Sequence, residues 1–201
     1  MANYRSESLK KIAYELPLSY QEEDPNALLP FLEDFRLFRR GRRKKIQNLL
    51  TYQHPMLDFQ AHIFDYRFKT GGGNSTRQHL QTVFFIRSKK LGLPAFFLRP
   101  ESIFHKFGEF LKLRKDIDFE KFPEFSKQYE LQGEDEDYIR AMMNDQVFHF
   151  FSINKNWSLE GVNYYLIFYK KNRIIPASKI KDFYEKGLHL ANILEAEDLG
   201  L

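Results

Sequence analysis

Apolar residues at the start of the chain recur at helical spacing: Leu9, Ile12, Ala13 and Leu16 share a face, and Pro17 ends the pattern. The acidic "QEEDPN" reads as a loop, after which "ALLPFLEDFRLF" returns to apolar surface. From Ile46 to about Leu98 the period shortens to that of a strand. In "LDFQAHIFDYRFKT", Phe64, Tyr66 and Phe68 fall on one side and Phe59, Ala61 and Ile63 on the other, with His54-Pro55 marking a turn beforehand. In "RQHLQTVFFIRSK", Leu80, Phe84 and Ile86 share a side, and a third run, "LPAFFLRPE", reaches a proline that cannot donate to a ladder.

Between the first two of these strands lies "TGGGNSTRQH". A phosphate-cradling loop of the Walker kind needs a Lys-Ser/Thr pair and a helix behind it, whose amides face the phosphate. Neither follows here, so the glycines read as a hairpin turn near Gly72.

Beyond the strands, "SIFHKFGEFLKLR" reads as a helical or irregular bridge, and "DIDFEKFPEF" alternates acid with apolar before turning at Pro123. A strand, "KQYELQG", ends at Gly133. "EDEDYIRAMM" opens a helix with acids in its first turn, where the helix dipole favours them. Asn144-Asp145 caps a second helix over "QVFHFFSI". A hairpin then turns around Gly161 to Asn163, and Pro176 and Ser178 introduce a last helix. That helix aligns Ile180, Phe183, Tyr184, Gly187, Ala191 and Leu194 on one stripe. The pattern predicts a single α+β domain over residues 1–201: a mostly antiparallel sheet covered by helices on one face, with a C-terminal β-hairpin followed by a helix.

Composition changes this picture in two ways. The chain has 21 Phe and 11 Tyr, so aromatic rings supply much of the core. It has no Cys, which removes disulfides, thiolate nucleophiles and Cys-based metal sites, and fits a cytoplasmic location. A membrane-crossing helix needs ~20 mostly apolar residues. The densest apolar runs here, Val83 to Ile86 and Ala95 to Leu98, are far shorter, so no transmembrane segment is expected.

Several motifs occur in order: F-D-Y-R (Phe64 to Arg67), T-G-G-G (Thr70 to Gly73), Q-T-V (Gln81 to Val83), L-P-x-F-x-L-R-P-E (Leu93 to Glu101), D-I-D-F-E (Asp116 to Glu120), P-E-F (Pro123 to Phe125) and Y-E-L-Q-G (Tyr129 to Gly133). This string resembles an uncharacterised bacterial family of unknown function, many of whose members look tethered to a membrane by an N-terminal hydrophobic segment that this chain lacks. The resemblance spans nearly the whole chain. It implies a shared fold and brings no catalytic residue with it.

Net charge is only +4, but its distribution is uneven. In "RLFRRGRRKK" seven of ten residues are basic: Arg36, Arg39, Arg40, Arg42, Arg43, Lys44 and Lys45, with Gly41 suggesting a turn between two charged arms. Such density suits the phosphates of nucleic acid or acidic lipid, or else a solvated loop paired with nearby acids. On a strand, Asp116, Asp118 and Glu120 would point to one side, where they could ligate Mg²⁺ or Ca²⁺ or serve as an acid/base pair; the alternative is an edge strand braced by Arg99. The six histidines form no metal-ligand spacing, no nucleophile elbow surrounds Ser75 or Thr76, and no cofactor is implied.

The leading expectation is therefore a non-catalytic binding or scaffold module whose basic loop meets an anionic partner. A protein–protein interaction module, self-associating through an exposed aromatic edge, is the alternative. A metal-assisted hydrolase using Asp116 and Asp118 is the third reading.

Overall fold

The computed structural model describes residues 2–24, 28–53, 59–101 and 116–195. The expected turn at His54-Pro55 and the bridge over "SIFHKFGEFLKLR" lie outside the described residues. Helix α1 (Ala2–Glu15) leads into β1 (Ser19–Glu23), two short helices α2 (Leu29–Leu32) and α3 (Arg36–Arg39), and the strands β2 (Arg42–Gln53), β3 (Phe59–Thr70), β4 (Arg77–Ser88) and β5 (Leu93–Pro100). Helix α4 (Pro123–Gln128), strand β6 (Tyr129–Gly133), helices α5 (Glu136–Met142) and α6 (Asp145–Ile153), hairpin β7 (Ser158–Asn163) and β8 (Tyr165–Tyr169), and helix α7 (Ile180–Ile193) complete the chain.

All eight strands join one antiparallel sheet in the order β1-β2-β3-β4-β8-β7-β5-β6. The expected α+β fold is present. The glycine run is the hairpin turn between β3 and β4, with Thr70 paired to Arg77 and positive φ at Gly71 and Gly73. Three local expectations change. "SYQEE" is an edge strand rather than loop, its charges facing water and Glu23 pairing with Lys45 at 2.6 Å. Pro123 starts α4, at a position where its missing N–H costs nothing. Gly161 lies inside β7, where the Phe96 ring closes over it; the turn falls after it, with Asn163 at φ 52°.

One face of the sheet carries the larger core. Leu50, Ile63, Phe84, Ile86, Leu98, Leu131, Leu159 and Phe168 project into it and pack against α1, α4, α5, α6 and α7. Trp157 stacks between Phe168 (4.3 Å) and Phe183 (5.3 Å). Gly187 of α7 lies so close to the Phe84 ring that a Cβ there would meet it at 2.6 Å, which explains glycine within the apolar stripe. The predicted cap forms, with Asn144 accepting from Gln146 and Val147 N–H, and the acidic run ahead of α5 supplies a second, Asp135, which accepts from Tyr138 N–H.

A buried polar network ties α1 to this face. The Arg5 guanidinium grips Asp65 at 2.6 and 2.8 Å and donates to the Ile175 carbonyl. Asp65 also accepts from Thr82 and Asn48, and Thr82 accepts from Ile175 N–H. These contacts give F-D-Y-R and Q-T-V a structural role. Among the described residues, no helix is long and apolar enough to cross a membrane.

The opposite face is divided. Over β2, β3, β4 and β8 it holds a second aromatic core, in which Phe35, Phe38 and Leu32 of the α2–α3 segment cover Phe64, Tyr66, Phe68 and Phe85. Over β7, β5 and β6 the residues pointing the same way are Ser158, Glu160, Phe97, Arg99, Glu130 and Gln132. A cleft opens where the two halves meet.

Candidate functional site

Strand alternation builds the cleft floor. Phe68 of β3, Gln81 of β4, Tyr169 of β8, Ser158 and Glu160 of β7, and Phe97 of β5 all lie on this face and are buried. The short helix α3 forms a wall with Arg36 and Leu37, Arg40 follows it, and Lys171 and Asn172 leave β8 on the far side. The cavity is about 250 Å³. Gly41 (φ 76°) lets the chain double back here, since a side chain would strike Phe68 and the Lys69 carbonyl.

Glu160 fastens the wall to the floor. It accepts Arg36 N–H at 2.6 Å, Leu37 N–H at 3.2 Å and the Tyr169 hydroxyl at 2.9 Å. Burial raises its pKa, against lowering contributions from Tyr169, the two amides and Arg36; burial, then the neighbouring Glu160, pushes the Tyr169 phenol well above its usual value. A second chain of contacts runs along the rim: Arg36 donates to Gln132, Gln132 donates to Glu130, and Glu130 pairs with Arg99 at 2.5 Å. The guanidiniums of Arg36 and Arg99 also lie over the Phe97 ring, 4.7 and 5.6 Å from its centroid.

Near β4 the wall is less occupied. Among the described residues, neither Arg40 nor Lys171 has a carboxylate at ion-pair distance. Partial burial, then the charges of Arg40, Arg99 and Arg77, lowers the Lys171 pKa. Gln81 is 1% exposed; its Oε1 accepts Asn172 N–H at 3.0 Å, but its Nε2 has no hydrogen-bond partner. Leaving such a donor unmet costs ~1–3 kcal/mol. His79 stacks on Phe68 at 4.6 Å and holds Asn172 Oδ1 at 2.8 Å, bracing the same corner.

The basic run is therefore split. Arg36 and Arg40 line the cleft. Arg39 turns to Asp34 (3.9 Å) and the Glu33 carbonyl, Arg42 and Arg43 are exposed at the start of β2, Lys44 is half-buried, and Lys45 pairs with Glu23. Asp116 accepts Leu131 N–H beside β6, whereas Asp118 and Glu120 are exposed, and the segment bearing them is irregular. Arg99 pairs with Glu130, not with these acids. Among the described residues no group of three His, Asp or Glu could hold a metal ion. Gln81, Arg99, Glu160 and Lys171 were not grouped with the basic run by sequence. Gln81, Arg99 and Glu160 share one signal, polarity at strand positions that alternate with buried apolar residues, as in Ser158–Leu159–Glu160, while Lys171 lies in the turn after β8.

Fold and cleft together define an α+β domain built on one antiparallel sheet, with a basic, aromatic-floored recess on one face. No family model and no curated protein matches the chain. Its structure is similar to the crystal structure of the mycobacterial trehalose monomycolate transport factor A, with a TM-score of 0.56 and 13% identity over 96% of this chain and 93% of that one. The likeness is one of fold.

Proposed function

We propose that the protein is a non-catalytic binding module that receives an anionic partner in this cleft. The observation carrying the reading is the convergence of Arg36 and Arg40 at α3, Arg99 of β5 and Lys171 after β8, from three separate parts of the chain, around one concave, partly apolar recess. Arg36 and Arg99 are held by protein groups and shape the wall; Arg40 and Lys171 are the charges an incoming anion meets. The buried Glu160 has three donors on it and serves the closure of α3 over the sheet, a structural task that leaves it little freedom as an acid or base. The structural neighbour is named as a transport factor, and at 13% identity the likeness carries the fold alone.

The test compares two variants. Arg40→Glu/Lys171→Glu reverses the cleft charges, and Arg39→Glu/Arg42→Glu/Arg43→Glu reverses the outer ones. At low salt, retention on heparin and binding to phosphatidylglycerol vesicles should fall about tenfold or more in the cleft variant, since each lost cation–anion contact removes ~1 kcal/mol or more. The outer variant should lose less. Unchanged binding in the cleft variant would falsify the reading.

A further inference from the structure

We propose that the corner of the cleft between Arg40, Lys171 and the Gln81 amide seats a phosphate monoester. This rests on the reading of the cleft as an anion site and specifies which anion. Three features carry it.

The first is Gln81. Asn172 N–H occupies its Oε1 and so fixes the amide's orientation, leaving the buried Nε2–H as a donor that needs an acceptor oxygen from inside the cleft. The second is charge. Arg99 is matched by Glu130, whereas Arg40 and Lys171 leave two positive charges uncompensated among the described residues. A phosphate monoester carries about −1.5 to −2 near neutral pH and three acceptor oxygens, whereas a carboxylate or phosphodiester carries −1. The third is size and lining. At about 250 Å³ the recess falls just below the ~300–1,000 Å³ typical of sites for whole drug-sized ligands. It suits a head group, with Leu37, Phe68 and Phe97 offering apolar contact to the first atoms of the attached body.

A free small molecule and a lipid head both present this group, and the experiment separates the two sources. Calorimetry and thermal shift are run with inorganic phosphate, glycerol 3-phosphate, dimethyl phosphate and acetate, and flotation with phosphatidic acid or phosphatidylglycerol vesicles. Glycerol 3-phosphate should bind at least tenfold more tightly than dimethyl phosphate or acetate. Binding of phosphatidic acid vesicles as well assigns the lipid head; binding of glycerol 3-phosphate alone assigns the free molecule. Gln81→Glu keeps the acceptor for Asn172 N–H while placing an anion where the phosphate would sit. It should raise Tm without ligand and abolish the phosphate response. Equal binding of dimethyl phosphate, acetate and glycerol 3-phosphate overturns the monoester assignment but leaves the anion site standing. No response to any small anion, with heparin and vesicle binding also unaffected in Arg40→Glu/Lys171→Glu, removes both.

Discussion

The same strands present two different surfaces. On the larger-core side every strand from β2 to β6 contributes apolar residues, and five helices close over them. On the other side the buried apolar cluster sits on β2, β3, β4 and β8, closed by the short α2–α3 segment, whereas β7, β5 and β6 set Phe97 among Glu160, Arg99, Glu130 and Gln132. Two of the buried carboxylates show the contrast in miniature. Asp65 is matched by a guanidinium and sealed beneath α1, whereas Glu160 is held by two amides and a phenol at the floor of a cleft. One face spends its polarity on closure, and the other leaves cations facing an opening.

Truncating one ring on each face should break this comparison most visibly. Phe168→Ala removes the ring stacked on Trp157 and should cost about 4 kcal/mol in urea denaturation, with heparin binding per folded molecule unchanged. Phe97→Ala opens into an existing recess and should cost about half as much, while weakening anion retention by loosening Arg36 and Arg99. Equal costs and equal binding would mean the faces do not differ as described. Next is Asp65→Ala, which strands Arg5 and should cost about 3 kcal/mol, leaving the cleft intact.

The closed half of the second face can be sharpened by pH. His62 is buried against Phe85 with Thr51 on its Nδ1, and burial lowers its pKa to about 4. Because the folded value lies below the unfolded 6.5, neutral His62 contributes stability above 6.5, and this is lost as pH falls toward 4. The wild type should lose about 1.5 kcal/mol relative to His62→Gln between about pH 6.5 and about pH 5. Parallel pH profiles for the two proteins would place the imidazole in water rather than in the core.

What was readable in the sequence follows from range. Alternation in β3 and β4 depends on neighbouring residues, as do the acidic start of α5 and the cap at Asn144, and all of these were legible. Insertion of the C-terminal hairpin between β4 and β5 was not, because it depends on pairing between strands far apart in sequence, such as Phe84 with Phe168. The charge of Arg36 to Lys45 was plain, yet its division into cleft-lining and outward residues depends on α3 docking through Glu160. Lys171 and Gln81 each look unremarkable beside their own neighbours; their meeting depends on the β4–β8 pairing.

The smallest effect tests the docking itself. Burial raises the Glu160 pKa from its usual 4.5, so the folded value exceeds the unfolded one. The group then contributes stability when protonated, below about 4.5, and that contribution is lost as pH rises through the raised folded value. Glutamine cannot ionise. The stability of the wild type minus that of Glu160→Gln should therefore decline with rising pH, by no more than about 1.4 kcal/mol per pH unit, then level off. Urea denaturation in steps from about pH 4 to about pH 8 measures it. A difference that grew with pH would mean that Arg36 N–H, Leu37 N–H and the Tyr169 hydroxyl hold the anion more strongly than burial opposes it. The wall of the cleft would then be fastened as firmly as α1 is by Arg5 and Asp65, and the contrast between the faces would reduce to the uncompensated charges of Arg40 and Lys171.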